Sequence, residues 1–342
     1  MSTLSRRGVA VAAVILNDGE LRRRLQEAGI QVFFLPEPGV SAPRLLFGLV
    51  AAIRKWKPDV VHTHRIKENI LGSIAACLCG LPSVRTVHGA TELGEADRKS
   101  LRQRALTAAN RWCGLWLQRK IISVSAHLGS ALASEYGAAR VTVIPNGIET
   151  AMADSNTGGN TLPNRNHVTV CFVGRVVPVK RGDIFLEMAA MLVRNRPDIQ
   201  WSFHVFGDGP LRHSLEASAP HTASVTFHGH VASPWTMQKM DVLVICSDHE
   251  GVPMAALEAV VAGVAVVAHA VGGLPELLQS LPGCRLVQNH AAGAYAAAVS
   301  DVLDCGARPS AAHLPVQYTA EGNATSVRQL YALLTMPGRV GA

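Results

Sequence analysis

The stretch Glu250-Gly-Val-Pro-Met-Ala-Ala-Leu-Glu258 decides how this 342-residue chain is read. Two carboxylates flank a Gly-Val-Pro turn, and the apolar run Val264-Ala-Val-Val-Ala268 follows. Proline is favoured at a first helical position, where its missing N–H is no loss. Pro253 there would open a helix whose free N–H groups face the loop, and such a helix start is an anion site. Glu250 then lies at the loop edge and Glu258 about one and a half turns along the helix, at ~1.5 Å rise per residue. One carboxylate can reach a sugar and the other a ribose, with a phosphate held between them.

Outward from this stretch, short β-branched runs alternate with longer helical patterns, the rhythm of a parallel sheet. Strands are expected at Val9–Leu16, Gln31–Leu35, Val60–His62, Ser83–Val87, Lys120–Val124 and Val141–Ile144, with helices over Glu20–Ala28, Pro43–Lys57 and Ile66–Cys79. Thr150–His167, rich in Asn, Gly and Thr, reads as a linker. The rhythm restarts with strands at Val168–Val173, Trp201–Phe206, Val225–His228, Val242–Cys246 and Val264–Ala268, and helices over Asp183–Asn195 and Met254–Ala262. The expectation is an α/β protein of two Rossmann-like domains facing across a cleft. Residues 1–149 form the first, 150–167 the linker, 168–320 the second, and 321–342 a C-terminal helix and tail. Ligands in such sheets sit at the carboxyl ends of the strands.

Composition fits a globular enzyme, 48% hydrophobic and 17% charged, with no apolar run of the ~18 residues a membrane-spanning helix needs. Val9–Leu16 follows Arg6-Arg7 as a signal peptide's core would, but is short, lacks a small-residue cleavage site and runs into a charged helix, so it reads as a strand. Seven cysteines without a Cys-x-x-Cys pair suggest reduced, buried thiols and a cytoplasmic protein. The net charge of +7 is one-sided: residues 1–150 hold 20 Lys and Arg against 11 Asp and Glu. Its densest part lies in residues 98–120, with Trp112 and Trp116 four apart on one helical face. That segment reads either as a membrane-surface element, placing the protein peripherally on the inner face of the cytoplasmic membrane, or as a solvated helix with inward tryptophans. Nucleic-acid binding lacks any accompanying motif.

Glu250 and Glu258 match the E-x7-E signature of retaining GT-B glycosyltransferases, and the chain resembles that family, in its family 4-like branch, along nearly its whole length. In family order stand Ile144-Pro-Asn-Gly-Ile148, Gly174-Arg175 with Lys180-Arg-Gly182, Phe206-Gly-Asp-Gly-Pro210, Ser247-Asp-His-Glu-Gly251 and Gly272-Gly-Leu-Pro-Glu276. The resemblance implies transfer of a hexose-type sugar from a UDP-sugar or GDP-sugar donor, with no cofactor and no metal, and the basic, Trp-bearing first half points to a glycan or lipid-linked acceptor, as in cell-surface polysaccharide or lipopolysaccharide synthesis. It assigns Arg175 and Lys180 to the diphosphate, Glu250 to the transferred sugar and Glu258 to the ribose. Gly174 and the N–H groups of Gly251, Val252 and Met254 fall near sugar or phosphates, Val231 near the base, and His88 near the reacting sugar. His62 and His64 have metal-like spacing but no further ligand pattern, and are read as acceptor-side loop residues.

One part departs from the family. Asn17-Asp-Gly-Glu-Leu21 through Gly29-Ile-Gln-Val32 resembles the region after the family's second strand, yet only Met1–Gly8 precedes the run at Val9. The family's first strand and glycine-rich loop have no counterpart, which implies a gap between the strands at Val9–Leu16 and Val60–His62. Either the translation start is placed too far downstream, the reading favoured here, or the chain is a truncated, non-catalytic paralogue that binds a nucleotide sugar or a partner. A nucleotide-sugar epimerase on the same fold is disfavoured by the matches at Gly174–Gly182 and Glu250–Glu258.

Overall fold

The structure is a computed structural model and describes residues 1–89, 100–150, 166–231 and 239–336. The chain divides into two compact units, one of Met1–Pro145 together with the segment from Ala320, the other of Asn146–Thr319. The expected linker falls, over 151–165, outside the described residues.

The second unit is built on one six-stranded, wholly parallel sheet in the order β12-β11-β10-β7-β8-β9. Its strands are β7 (His167–Val173), β8 (Gln200–Phe206), β9 (Val225–Gly229), β10 (Val242–Ile245), β11 (Ala265–His269) and β12 (Cys284–Val287). Parallel strands need helices across both faces, and that is why Val242–Ile245 is apolar at every position and wholly buried. One face carries a core around Phe172, Phe185, Phe203 and Tyr295 under α7 (Gly182–Asn195) and α11 (Ala292–Cys305). The other carries Leu243, Val266, Leu257 and Leu274 under α9 (Met254–Val261) and α10 (Leu274–Leu278). The chain leaves β7 for β8 and β9, then returns to β10 on β7's other side. The carboxyl ends of β7 and β10 therefore flank the point where strand order reverses, the place where such sheets bind ligands. The sixth strand, β12, was not read from sequence because Cys284-Arg-Leu-Val287 has too short a β-branched run.

The first unit has its sheet in two pieces. Strands β1 (Ala12–Ile15) and β2 (Gln31–Phe34) pair only with each other, while β3 (Val61–His64), β4 (Ser83–Val87), β5 (Gln118–Ser123) and β6 (Val141–Val143) form a separate parallel sheet. The two strands that bound the expected gap, β1 and β3, fall in different sheets. The apolar cores here are small, the largest around Leu16, Leu45, Leu49, Ile53 and Leu71. A buried polar network supplements them: Thr63 Oγ1 donates to Asn69 Oδ1 at 2.8 Å, Asn69 and Gln118 are bonded, and Asn69 bonds Asn110, which also accepts from Arg85 at 3.2 Å. It links β3, β4 and β5 to α4 (Ile66–Leu78) and α5 (Leu101–Trp116).

The C-terminal helix α12 (Ala320–Thr335) completes this unit, packing Val327 and Leu330 on Ile122 and Ile144. Arg7, after α1 (Ser2–Arg6), donates to Glu321 at 2.6 Å, and Asn323 donates to the Pro145 carbonyl at 2.6 Å. Two smaller expectations change. Cys77 and Cys305 are exposed, although all seven cysteines are free thiols. His62 and His64 sit on strand β3 instead of a loop, and their separation by two residues puts both rings on one face, stacked at 4.7 Å.

Candidate active site

The loop after β7 and the loop after β10 meet in the second unit. Asp248 N–H donates to the Val179 carbonyl at 2.8 Å, tying the two together. Lys180 pairs with Glu250, the two side chains 24% and 9% exposed, and Ser247 Oγ donates to the same Glu250 oxygen at 2.6 Å. The Lys180 ammonium thus has its counter-charge already in place. Arg175 is exposed and, among the described residues, its guanidinium has no hydrogen bond or ion pair. A guanidinium left uncommitted at a strand's carboxyl end suits bidentate phosphate binding.

Backbone approaches too close for any side chain hold these loops. Gly174 N–H donates to Phe206 O at 2.9 Å, and a Cβ on Gly207 (φ +140) would stand 1.8 Å from the Gly174 carbonyl oxygen. Gly272 (φ +60) has the same constraint against the Glu250 carbonyl, and Gly273 N–H donates to Gly251 O at 2.7 Å. Thus the glycines of Phe206-Gly-Asp-Gly-Pro210 and Gly272-Gly-Leu-Pro-Glu276 fix the two loops that bear charge.

Helix α9 begins at Met254, where the helix expected over Met254–Ala262 begins, so Pro253 precedes it and is not its first residue. Pro253 has extended angles, φ −69 and ψ 132, and is the cap, with Met254 the first helical residue. The ring needs φ near −65° but permits an extended ψ, which is what a cap residue adopts. The N–H groups of Met254 and Ala255, at the start of α9, have no intrahelical acceptor and follow Gly251 and Val252, both buried. Asn146 Nδ2 donates to the Val252 carbonyl at 2.9 Å, holding the turn from behind. Glu258 is half-buried on α9, its carboxyl has no partner among the described residues, and burial raises its pKa. A carboxylate kept without donors gains most from a ligand that brings two hydroxyls. Val231 lies two residues beyond β9, on the edge reached from β7 through β8.

Sequence reading missed the support beneath this loop. Arg181, held at φ +50, bonds both oxygens of Asp183 at 3.1 Å and reaches Asp248 at 3.3 Å. Asp183 first, and Asp248 after it, raise the Arg181 pKa. His290 Nδ1 lies 3.4 Å from Asp248 and its Nε2 2.6 Å from the Cys246 carbonyl. His269 stacks on His290 at 3.9 Å and bonds the Ser247 carbonyl at 2.9 Å. The available signal was position alone: His269 ends β11 and His290 follows β12, on the ligand side of the sheet.

His88 belongs to the first unit, just past β4. Its Nε2 lies 3.0 Å from His64 Nδ1, their rings stacked at 5.3 Å. His62 continues the stack, bonding the Tyr331 hydroxyl at 2.6 Å and Thr86 Oγ1 at 2.8 Å. Burial, then repulsion from neighbouring imidazoles, pushes His62 down to about 3 and His64 down to about 4. His64 keeps accessible surface, so His62 is the more firmly neutral of the two. Among the described residues no three His, Cys, Asp or Glu side chains are grouped to hold a metal ion.

Residues 1–152 match glycosyltransferase family 4, and residues 167–305 match glycosyl transferases group 1. The chain is 28% identical over 274 residues to the 2-deoxystreptamine glucosyltransferase of Streptomyces kanamyceticus, covering 73% of this chain and 70% of that one. It is 26% identical over 266 residues to the UDP-Gal:alpha-D-GlcNAc-diphosphoundecaprenol alpha-1,3-galactosyltransferase of Escherichia coli, covering 71% and 67%. Among solved structures, a glycosyltransferase from Rickettsia africae superposes with a TM-score of 0.73 at 15% identity over 98% of this chain and 93% of that one. Anabaena HepE in complex with UDP-glucose gives 0.69 at 18% identity over 94% and 88%. Two family matches in order along one chain, on a parallel-sheet architecture shared with these structures, show that it belongs with the glycosyltransferase family 4-like proteins of GT-B fold.

Proposed function

We propose that this chain transfers a hexose-type sugar from a UDP-sugar or GDP-sugar to a glycan or lipid-linked acceptor, with retention at the anomeric carbon and without a metal. The observation that carries the proposal is the charge arrangement of the second unit. Among the described residues the Arg175 guanidinium is without a partner, Lys180 is balanced by Glu250, and the Glu258 carboxyl is half-buried and unpaired. As the bond between the anomeric carbon and the diphosphate oxygen breaks, Arg175, Lys180 and the first turn of α9 take up the charge on the departing diphosphate. The acceptor hydroxyl attacks from the same face and gives its proton to that departing phosphate. Glu250, held by Lys180 and Ser247, is placed for the transferred sugar, and Glu258 for the ribose diol. His88 contacts the reacting sugar in this scheme.

Two neighbours support donor and acceptor classes. Anabaena HepE is described in complex with UDP-glucose, and the Escherichia coli relative acts on a GlcNAc-diphosphoundecaprenol. An acceptor of that lipid-linked kind, in cell-surface polysaccharide or lipopolysaccharide assembly at the inner face of the cytoplasmic membrane, fits the basic first half.

The test is a thermal-shift panel of UDP, GDP and ADP with their sugar conjugates. Ligand at ~100 times its dissociation constant adds about 2.7 kcal/mol. Stabilisation by one uridine or guanosine donor, lost in Arg175→Ala and Glu258→Ala, is expected. No shift with any nucleotide would leave the non-catalytic alternative standing. Product anomer analysis, and turnover in excess chelator, then test retention and metal independence.

A further inference from the structure

Helix α5 carries its apolar stripe on the side turned away from the protein. At ~100° per residue, Leu101, Ala105, Ala108, Trp112 and Trp116 fall within a stripe about 80° wide. All five are exposed, Leu101 to 84%, Trp112 to 53% and Trp116 to 73%. Asn110, Cys113 and Gly114, on the opposite side, are buried. The inward reading of the tryptophans is thereby excluded, and an ordinary surface helix has the reverse arrangement. Arg102 flanks the stripe on one edge, Arg104 and Arg111 on the other, and the helix has no acidic residue. Arg111 lies 3.4 Å from Glu135 of α6 (Ala126–Tyr136), whereas Arg102 and Arg104 make no ion pair among the described residues.

We infer that this face of α5 docks on an anionic lipid bilayer, with the tryptophans at the headgroup level and the arginines on acidic headgroups. Trp is suited to that boundary, being apolar in body with a polar N–H. Arginine side chains beside an apolar stripe can lay their stems on it and keep their charge among the headgroups. The charge selects the occupant. In a two-fold dimer the same patch meets itself, and the arginines of one copy would face those of the other. An acidic membrane surface supplies the opposite sign. No described helix is long and apolar enough to cross a membrane, so contact is of the surface kind. This rests on the lipid-linked acceptor proposed above only for its purpose, because binding to vesicles requires no transfer.

The test is co-sedimentation of the full chain with phosphatidylcholine vesicles, with and without phosphatidylglycerol. Binding is expected only with phosphatidylglycerol, and should weaken as salt screens the charge. Each basic side chain near an acidic surface contributes about fivefold, so R102A/R104A should cut partitioning about thirtyfold. W112A/W116A should cut it by about an order of magnitude or more by loss of buried apolar surface. Unchanged circular dichroism and melting temperature in both variants establish that the fold is intact. No partitioning into acidic vesicles, or partitioning that neither double substitution alters, overturns the inference. Self-association lost in W112A/W116A without vesicle binding would assign the face to a second copy instead. Nucleotide titration of the same variants separates the two readings, since a failed donor site leaves vesicle binding untouched and the reverse.

Discussion

The two units of this chain are made from the same rhythm of strand and helix but are held together differently. In the second, one unbroken six-stranded sheet carries a large apolar core on each face. In the first, the sheet is in two pieces, the apolar cores are small, and buried amides, a buried arginine and the returning helix α12 supplement them. Burial of apolar surface is the dominant favourable term, whereas a buried hydrogen bond nets only about 1 kcal/mol. The second unit should therefore be the more stable, and unfolding should proceed in two steps.

Four measurements would break or sharpen this contrast. The largest effect is expected from Phe203→Ala, which empties the centre of the second unit's core; it should cost about 3–5 kcal/mol and lower the later transition in urea. Leu45→Ala should lower the earlier one, and a single transition moved equally by both would defeat the contrast. Next comes Arg175→Ala, expected to reduce kcat/KM by about 10²–10³ while leaving both transitions in place. A melting shift of several degrees would instead make Arg175 structural.

The third measurement is pH dependence. His62 and His64 are held neutral well below the ordinary histidine range. The unfolded chain therefore binds protons first as acid is added. The stability of the first unit should be complete above pH ~6.5 and decline as pH falls from there towards about 3. An earlier transition whose urea midpoint stays level between pH 6.5 and 5 would contradict this. The smallest effect concerns Glu258, whose pKa is raised by burial. Its charged form is penalised above the ordinary carboxylate range. Glu258→Gln should thus slightly stabilise the second unit at pH 7 and weaken nucleotide binding. Stabilisation by nucleotide undiminished in Glu258→Gln would remove the ribose role.

The same contrast governs how much could be read from residues alone. Strands buried on both faces announce themselves as apolar runs, so β7, β10 and β11 were legible, as were the loops holding Arg175, Lys180 and Glu250 between glycines. Pairings distant in sequence were not. Nothing local signals that Arg181 reaches Asp248, that His290 supports Asp248, or that Tyr331 meets His62. The direction of the α5 stripe was equally illegible, because periodicity places Trp112 and Trp116 on one side without saying which side is packed. Only burial of Asn110 and Cys113 decides it.

The return of α12 to the first unit bears on how the protein is made. Asn146–Thr319 is continuous, whereas the first unit is assembled from two segments that lie on either side of it in sequence. Met1–Pro145 cannot be completed before Asn146–Thr319 has been made, since Ile122, Ile144 and Arg7 await partners that follow it in the chain. Domains made in sequence usually fold from the N-terminus onward. Here the half begun earlier is finished later, because its closing helix is made only after the whole of the second unit.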